Sequence, residues 1–156
     1  MSSPSTSIPP TQPIRAHVHT SNPYESLYGY ARATRRGPFI FVSGTTAIDP
    51  TTGTIPPSIL SSAYLQAKAA FGEIVRAVEE LGGKREDVCR VRMYVTDGED
   101  FEDVARAMRE CFGADEEGEG EGKGAVWPAA TGIVGVRFVS PDMKVEIEAD
   151  AVVLDW

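Results

Sequence analysis

The stretch FIFVSG, Phe39 to Gly44, is apolar at nearly every position before its closing Ser-Gly. A strand that alternates can leave one face in water. A strand that is apolar on both faces must be covered on both. Any fold for this chain has to bury two sides of that segment. Its flanks agree with a strand: YGYARATRR alternates ahead of it, and GPF supplies the turn between the two runs.

The rest of the pattern is regular. AIDPTTGTIPP is loop and turn chemistry around Pro50 and Gly53. Leu60, Ala63, Ala67, Ala70, Phe71, Ile74, Val78 and Leu81 recur three and four apart, which predicts the longest helix. Ser58 or Ser61 is its expected cap, and Gly82-Gly83 its end. VCRVRMYVT sets Val91, Met93 and Val95 against Arg90, Arg92 and Tyr94, the alternation of a strand. Asp100 is the expected cap of a second helix, with Phe101, Val104, Met108 and Phe112 on one face and Gly113 as its stop. TGIVGVRFV and KVEIEADAVVL predict two closing strands. In the last, Val145, Ile147, Ala149, Ala151 and Val153 face one way, while Glu146, Glu148 and Asp150 face the other.

This order fits an α+β fold with both helices on one face of a single sheet. The other face then carries Ile40 or Phe41 beside Arg90, Arg92 and the acid row. Large apolar groups mixed with charges call for a cover, and a second subunit is the economical one.

The 156 residues suggest one domain. Its expected extent is residues 25–156, after a loose arm over 1–24 rich in Ser, Thr and Pro. The net charge of −8 makes the chain a poor partner for phosphate backbones. Five of its acids fall in DEEGEGEGK, residues 115–123, and the stretch 114–124 is expected to be a mobile surface loop. No apolar run approaches the roughly 20 residues of a membrane span. The expected compartment is the cytoplasm. A mitochondrial presequence is the alternative, because no acid precedes Glu25. Cys89 and Cys111 form no metal-ligand spacing and read as free thiols. His17 and His19 lack a third ligand, and Gly44, Gly132 and Gly135 form no phosphate-binding fingerprint, so neither a metal nor a cofactor is expected.

The segments YGYARATRRGPFIFVSGTTAIDPTTGTIP, EDVCRVRMYVTDGEDFEDVARA and PAATGIVGV with PDMKVEIEADAVV resemble the Rid family. This is the YjgF-like group of imine deaminases, also called endoribonuclease L-PSP. The resemblance runs from about Tyr28 to Leu154. It implies a chorismate-mutase-like fold, a homotrimer, and clefts between subunits. Active members there hydrolyse a small 2-imino or 2-aminoacrylate-type acid to a 2-oxo acid and ammonia. The family's pocket tyrosine maps onto Tyr30, its serine onto Ser43, and its water-holding glutamate onto Glu146. Its pocket asparagine maps onto Ala105, and its arginine, directly after the Pro-Ala pair, onto Ala130.

Imine hydrolysis needs a water beside an electrophilic carbon and a proton carrier close by. Glu146 suits that role; the competing reading is a solvated or interface acid row with Glu148 and Asp150. Ser43 is a ligand donor or a satisfied turn residue. Tyr30 lines a pocket or packs at an interface. A substrate carboxylate needs a cation, and a desolvated arginine contact is worth roughly 2–5 kcal/mol. Alanine at 130 removes about two to three orders of magnitude in binding a small acid. Three explanations stand: the ligand is not a carboxylate, another arginine (Arg32, Arg90, Arg92 or Arg137) reaches in, or catalysis is lost. The corresponding functions are a Rid-like enzyme on a reactive metabolite of different charge, or a non-catalytic trimeric metabolite-binding, regulatory or scaffold protein. A ribonuclease has no support, since no basic patch with interleaved aromatics and no histidine pair lies in the folded part.

Overall fold

The computed structural model describes residues 15–113 and 124–154. Six strands form one mixed sheet in the order β1-β2-β3-β6-β4-β5. They are β1 (Arg15–Val18), β2 (Ala33–Arg36), β3 (Phe39–Thr45), β4 (Val88–Val95), β5 (Ala129–Val134) and β6 (Val145–Val152). Only β4 and β5 run parallel; every other neighbouring pair is antiparallel. Three helices join them: α1 (Pro23–Tyr28), α2 (Ala63–Glu80) and α3 (Phe101–Phe112).

The strand β1 and the helix α1 correct the sequence reading. Residues 15–24 hold β1 and the start of α1, with Arg15 paired to Arg36 and Val18 to Ala33. Asn22 caps α1 by accepting from the Tyr24 N–H at 3.0 Å. Residues 1–14 of the expected arm and 114–123 of the expected acidic loop lie outside the described residues.

The apolar face of β6 reads as the alternation requires: Val145, Ile147, Ala149 and Ala151 are all buried. They meet Ala67, Ala70, Phe71, Ile74 and Val78 of α2 in one core. Phe71 of α2 and Phe112 of α3 close it edge to face, with centroids 5.7 Å apart. Ser62, not Ser58 or Ser61, caps α2. The polar loop before it makes three serines equivalent in sequence, and only the start of the buried stripe at Ala63 separates them. Gly82, at φ 80°, ends the helix as expected. Arg35 shares the buried face of β2 and donates to the Leu81 carbonyl at 2.6 Å and the Gly37 carbonyl at 2.9 Å. A buried guanidinium thus serves the free end of α2. Asp100 sits at the α3 N-cap, but its carboxylate takes Lys144 Nζ at 2.8 Å rather than a backbone N–H.

On β3 the ambiguity between Ile40 and Phe41 resolves. Ile40 and Val42 are buried beneath the helices, while Phe39 and Phe41 stack on the open face, each half exposed. Arg92 on that face pairs with Glu148 at 2.8 Å and Asp150 at 3.4 Å. The expected strand TGIVGVRFV is shorter than its pattern. It stops at Val134, and Gly135 turns the chain away at φ 84°.

Candidate functional site

Between β3 and β6 the pairing slips by one residue, so that Val42 faces Ala149 but Thr45 faces Ile147. This bulge falls on Ser43 and Gly44. Gly44 leaves the space in which the Glu146 carboxyl lies. A methyl group on it would overlap the Glu146 carboxyl. The Ser-Gly pair therefore opens a slot in β3, and Glu146 lies in it.

Glu146 opens into a cavity of about 820 Å³. Tyr30, Arg32 and Gly44 share its wall, and the loop 46–56 closes one side. That loop is held by a small apolar cluster of Ala47, Ile55 and Met143, and by an Asp49–Thr54 bridge with Gly53 at φ 71°. Gln66, fully buried on α2, ties the walls together. It donates to the carbonyls of Leu60 and Asp142 and accepts from the Lys144 N–H, each at 3.0 Å. Nothing in the periodicity singles out Gln66, because a polar residue on the apolar stripe is legible only once its partners are placed.

Burial raises the Glu146 carboxyl above the usual carboxylate range. Arg32 opposes that shift, and Glu148 adds to it. Burial likewise raises the Tyr30 hydroxyl. Among the described residues, Glu146 makes no ion pair, unlike Glu148 and Asp150 in the same row. A carboxyl group with raised affinity for protons, beside open space, is suited to accept a proton and return it.

Behind it lies a buried pair that the sequence did not announce. Glu25 of α1 and Arg32 are both almost fully buried, with Arg32 Nε 3.6 Å from Glu25 Oε1. Glu25 also accepts from the Thr20 N–H and hydroxyl at 2.7 Å each. Arg32 donates to the Thr45 hydroxyl at 3.0 Å and stands over the Tyr30 ring at 5.9 Å. Ser43 turns its hydroxyl to the Ala31 carbonyl at 2.8 Å.

The five residues carried over from the resemblance thus fall into two groups. Tyr30 and Glu146 line the cavity, and Ser43 stands beside it on β3, next to the lining Gly44 but not itself a lining residue. Ala130 and Ala105 lie at the far edge of the molecule, on β5 and α3. The register puts Ala130 level with Val91 and Ala149, so β4 stands between its strand and β6. Of the four arginines considered, Arg32 and Arg137 line the Glu146 cavity. Arg92 is committed to the acid row, and Arg90 is exposed on the open face.

The Endoribonuclease L-PSP family model matches residues 20–153. An uncharacterised protein of Streptomyces coelicolor is 32% identical over 136 residues, covering 86% of this chain and 89% of that protein. The 2-iminobutanoate/2-iminopropanoate deaminase of Escherichia coli K12 is 29% identical over 135 residues, covering 86% and 95%. The crystal structure of a YjgF/YER057c/UK114-family protein from Mycobacterium tuberculosis superposes with a TM-score of 0.72 at 30% identity, covering 90% of this chain and all of that one. This slot-and-carboxylate sheet, matched along nearly its whole length, places the chain in the Endoribonuclease L-PSP family, the YjgF or Rid group.

Proposed function

We propose that this protein hydrolyses a reactive imine or enamine metabolite in a cleft completed by a second copy of the chain, and that it is a poor deaminase of small 2-imino acids. The observation that carries the reading is Glu146 in its glycine slot, facing the cavity it shares with Tyr30. In the addition step, water oxygen bonds to the imine carbon while Glu146 takes one water proton and passes it to the nitrogen. In the elimination step, Glu146 takes the new hydroxyl proton and returns it to the nitrogen. The carbon–nitrogen bond breaks, ammonia leaves, and a carbonyl remains. Tyr30 orients the substrate beside this carboxylate.

The second copy is supported by two features of the single chain. Phe39 and Phe41 remain half exposed on the open face. All six residues of β5 are exposed at the sheet edge. A homotrimer would cover the face and bring one copy's β5 edge toward another's Glu146 cavity. Ala130 would then enter the cleft with no charge to offer an acid.

Ammonia release from freshly generated imines tests the activity. Wild type should release ammonia above the uncatalysed rate, and Glu146→Gln should lose about 10²–10⁴-fold of it. Equal rates for the two proteins would remove Glu146 from the chemistry. No release from any imine tried would favour a binding or regulatory trimer instead. Light scattering at micromolar concentration should return a trimer; a stable monomer mass would remove the shared cleft.

A further inference from the structure

The wall of the Glu146 cavity carries a feature that imine hydrolysis alone does not require. Tyr24 and Tyr28, one helical turn apart on α1, stack with centroids 6.0 Å apart and planes inclined by 7°. Both line the cavity, and both remain exposed, at 37% and 71%. Two near-parallel rings exposed at a cavity wall present aromatic surface able to receive another ring or a cation.

The size of the space agrees. In the single chain about 820 Å³ is open, near the upper end of the roughly 300–1,000 Å³ typical of small-molecule sites. A three- or four-carbon imino acid would fill little of it.

The charges agree as well. Asp49, Asp142 and Glu146 line the cavity, and none is in an ion pair among the described residues. Arg32 faces them with its charge matched by Glu25 at 3.6 Å and Nη1 donating to the Thr45 hydroxyl, while its Nε has no hydrogen-bond partner among the described residues. Glu73, also on the wall, is matched by Arg76 at 2.7 Å. That leaves Arg137, an exposed side chain, against three carboxyl groups. A bound anion would meet more repulsion than attraction, which selects against acids by charge.

We propose that this cavity takes an imine or iminium with a ring or aromatic body and no carboxylate, the ring lying on Tyr24 and Tyr28 and the nitrogen end directed to Glu146. This rests on the reading of Glu146 and Tyr30 as the reacting end of the cavity.

Three stable probes with one ring and three charges test it: benzylamine, benzyl alcohol and benzoate, titrated calorimetrically into the full-length protein. Benzylamine should bind at least about tenfold more tightly than benzoate, with benzyl alcohol between them. Tyr24→Leu and Tyr28→Leu should each weaken benzylamine by about two- to tenfold. Benzoate binding as tightly as benzylamine, or no binding by any of the three, would overturn the proposal. So would unchanged benzylamine affinity in both tyrosine variants. The wild-type series stands even if a variant does not fold. The two readings fail separately. Benzylamine binding without hydrolysis of the matching aryl imine removes catalysis and keeps the ligand class. Turnover of 2-imino acids with benzoate favoured over benzylamine keeps catalysis and removes the ligand class.

Discussion

At the β3–β6 junction a glycine makes room for a carboxyl group; at the β5 edge another glycine makes room for a phenyl ring. Gly44 leaves space that Glu146 fills, and Gly132 leaves space that Phe101 of α3 fills. The steric device is the same, but its products differ. The first delivers an ionisable group to a cavity. The second closes a helix against an edge strand and delivers nothing polar. Two residues before Gly132, Ala130 adds no charge to that edge, and Ala105 adds none from α3. On our reading the chain keeps the half of the cleft that holds water and lacks the half that holds an acid.

The largest gain should come from restoring the missing half. Ala130 is exposed in the single chain, so an arginine there meets no described side chain of its own copy. Ala130→Arg should raise kcat/KM on 2-iminobutanoate by about ten- to a hundredfold, short of the full clamp because Ala105 leaves the new guanidinium without a polar partner. Combining it with Glu146→Gln should cancel the gain. A trimeric Ala130→Arg that binds small carboxylates without turnover would place the deficit elsewhere.

The two glycines allow a matched pair of alanine substitutions. Gly44→Ala pushes the Glu146 carboxyl out of its slot and should cost activity at least about tenfold, since a displaced proton carrier loses its geometry. Gly132→Ala crowds Phe101 and should cost about 1–3 kcal/mol in stability with activity retained. Thermal melts and ammonia release on both variants check this. Activity lost equally in the two would erase the difference between the two ends.

The smallest effect concerns stability and pH. Burial raises the Glu146 carboxyl in the fold, so protonation favours the folded state. That contribution is present below the unfolded carboxyl's ordinary range and is lost as pH rises through the raised folded value. Glu146→Gln mimics the protonated form at all pH. Its Tm should exceed that of wild type at neutral pH, and the gap should close on acidification. A constant gap would mean that the carboxyl is not held up by burial.

The sheet was legible where burial imposes one period, and the site was legible only in part. Val145 to Ala151 alternate because one face meets α2, and the helix stripe from Ala63 to Val78 repeats because it meets that face. Residues 15–24 were not legible as structure. The strand β1 is short, and proline-rich sequence ahead of it masks the start of the domain. Arg32 was one of four arginines that the sequence could not rank, and its pairing with Glu25 emerged only when α1 folded back and buried both. Tyr30, Ser43 and Glu146 were named through family resemblance. The reason Gly44 follows Ser43 emerged only from the bulge, where the register slip brings Glu146 across it. Tyr24 and Tyr28 carried no signal, because a four-residue spacing has meaning only within the short helix that displays it.

The missing clamp is tested most directly by comparing two substrates on wild-type protein: freshly generated 2-iminobutanoate, and propan-1-imine, the same skeleton without the carboxylate. The measured quantity is the ratio of their kcat/KM values. With no cation assigned to the acid, the carboxylate should give no advantage, and the ratio should be near one or below. A preference of about a hundredfold or more for 2-iminobutanoate, the worth of a desolvated arginine contact, would show that another cation completes the cleft and would contradict the account of Ala130.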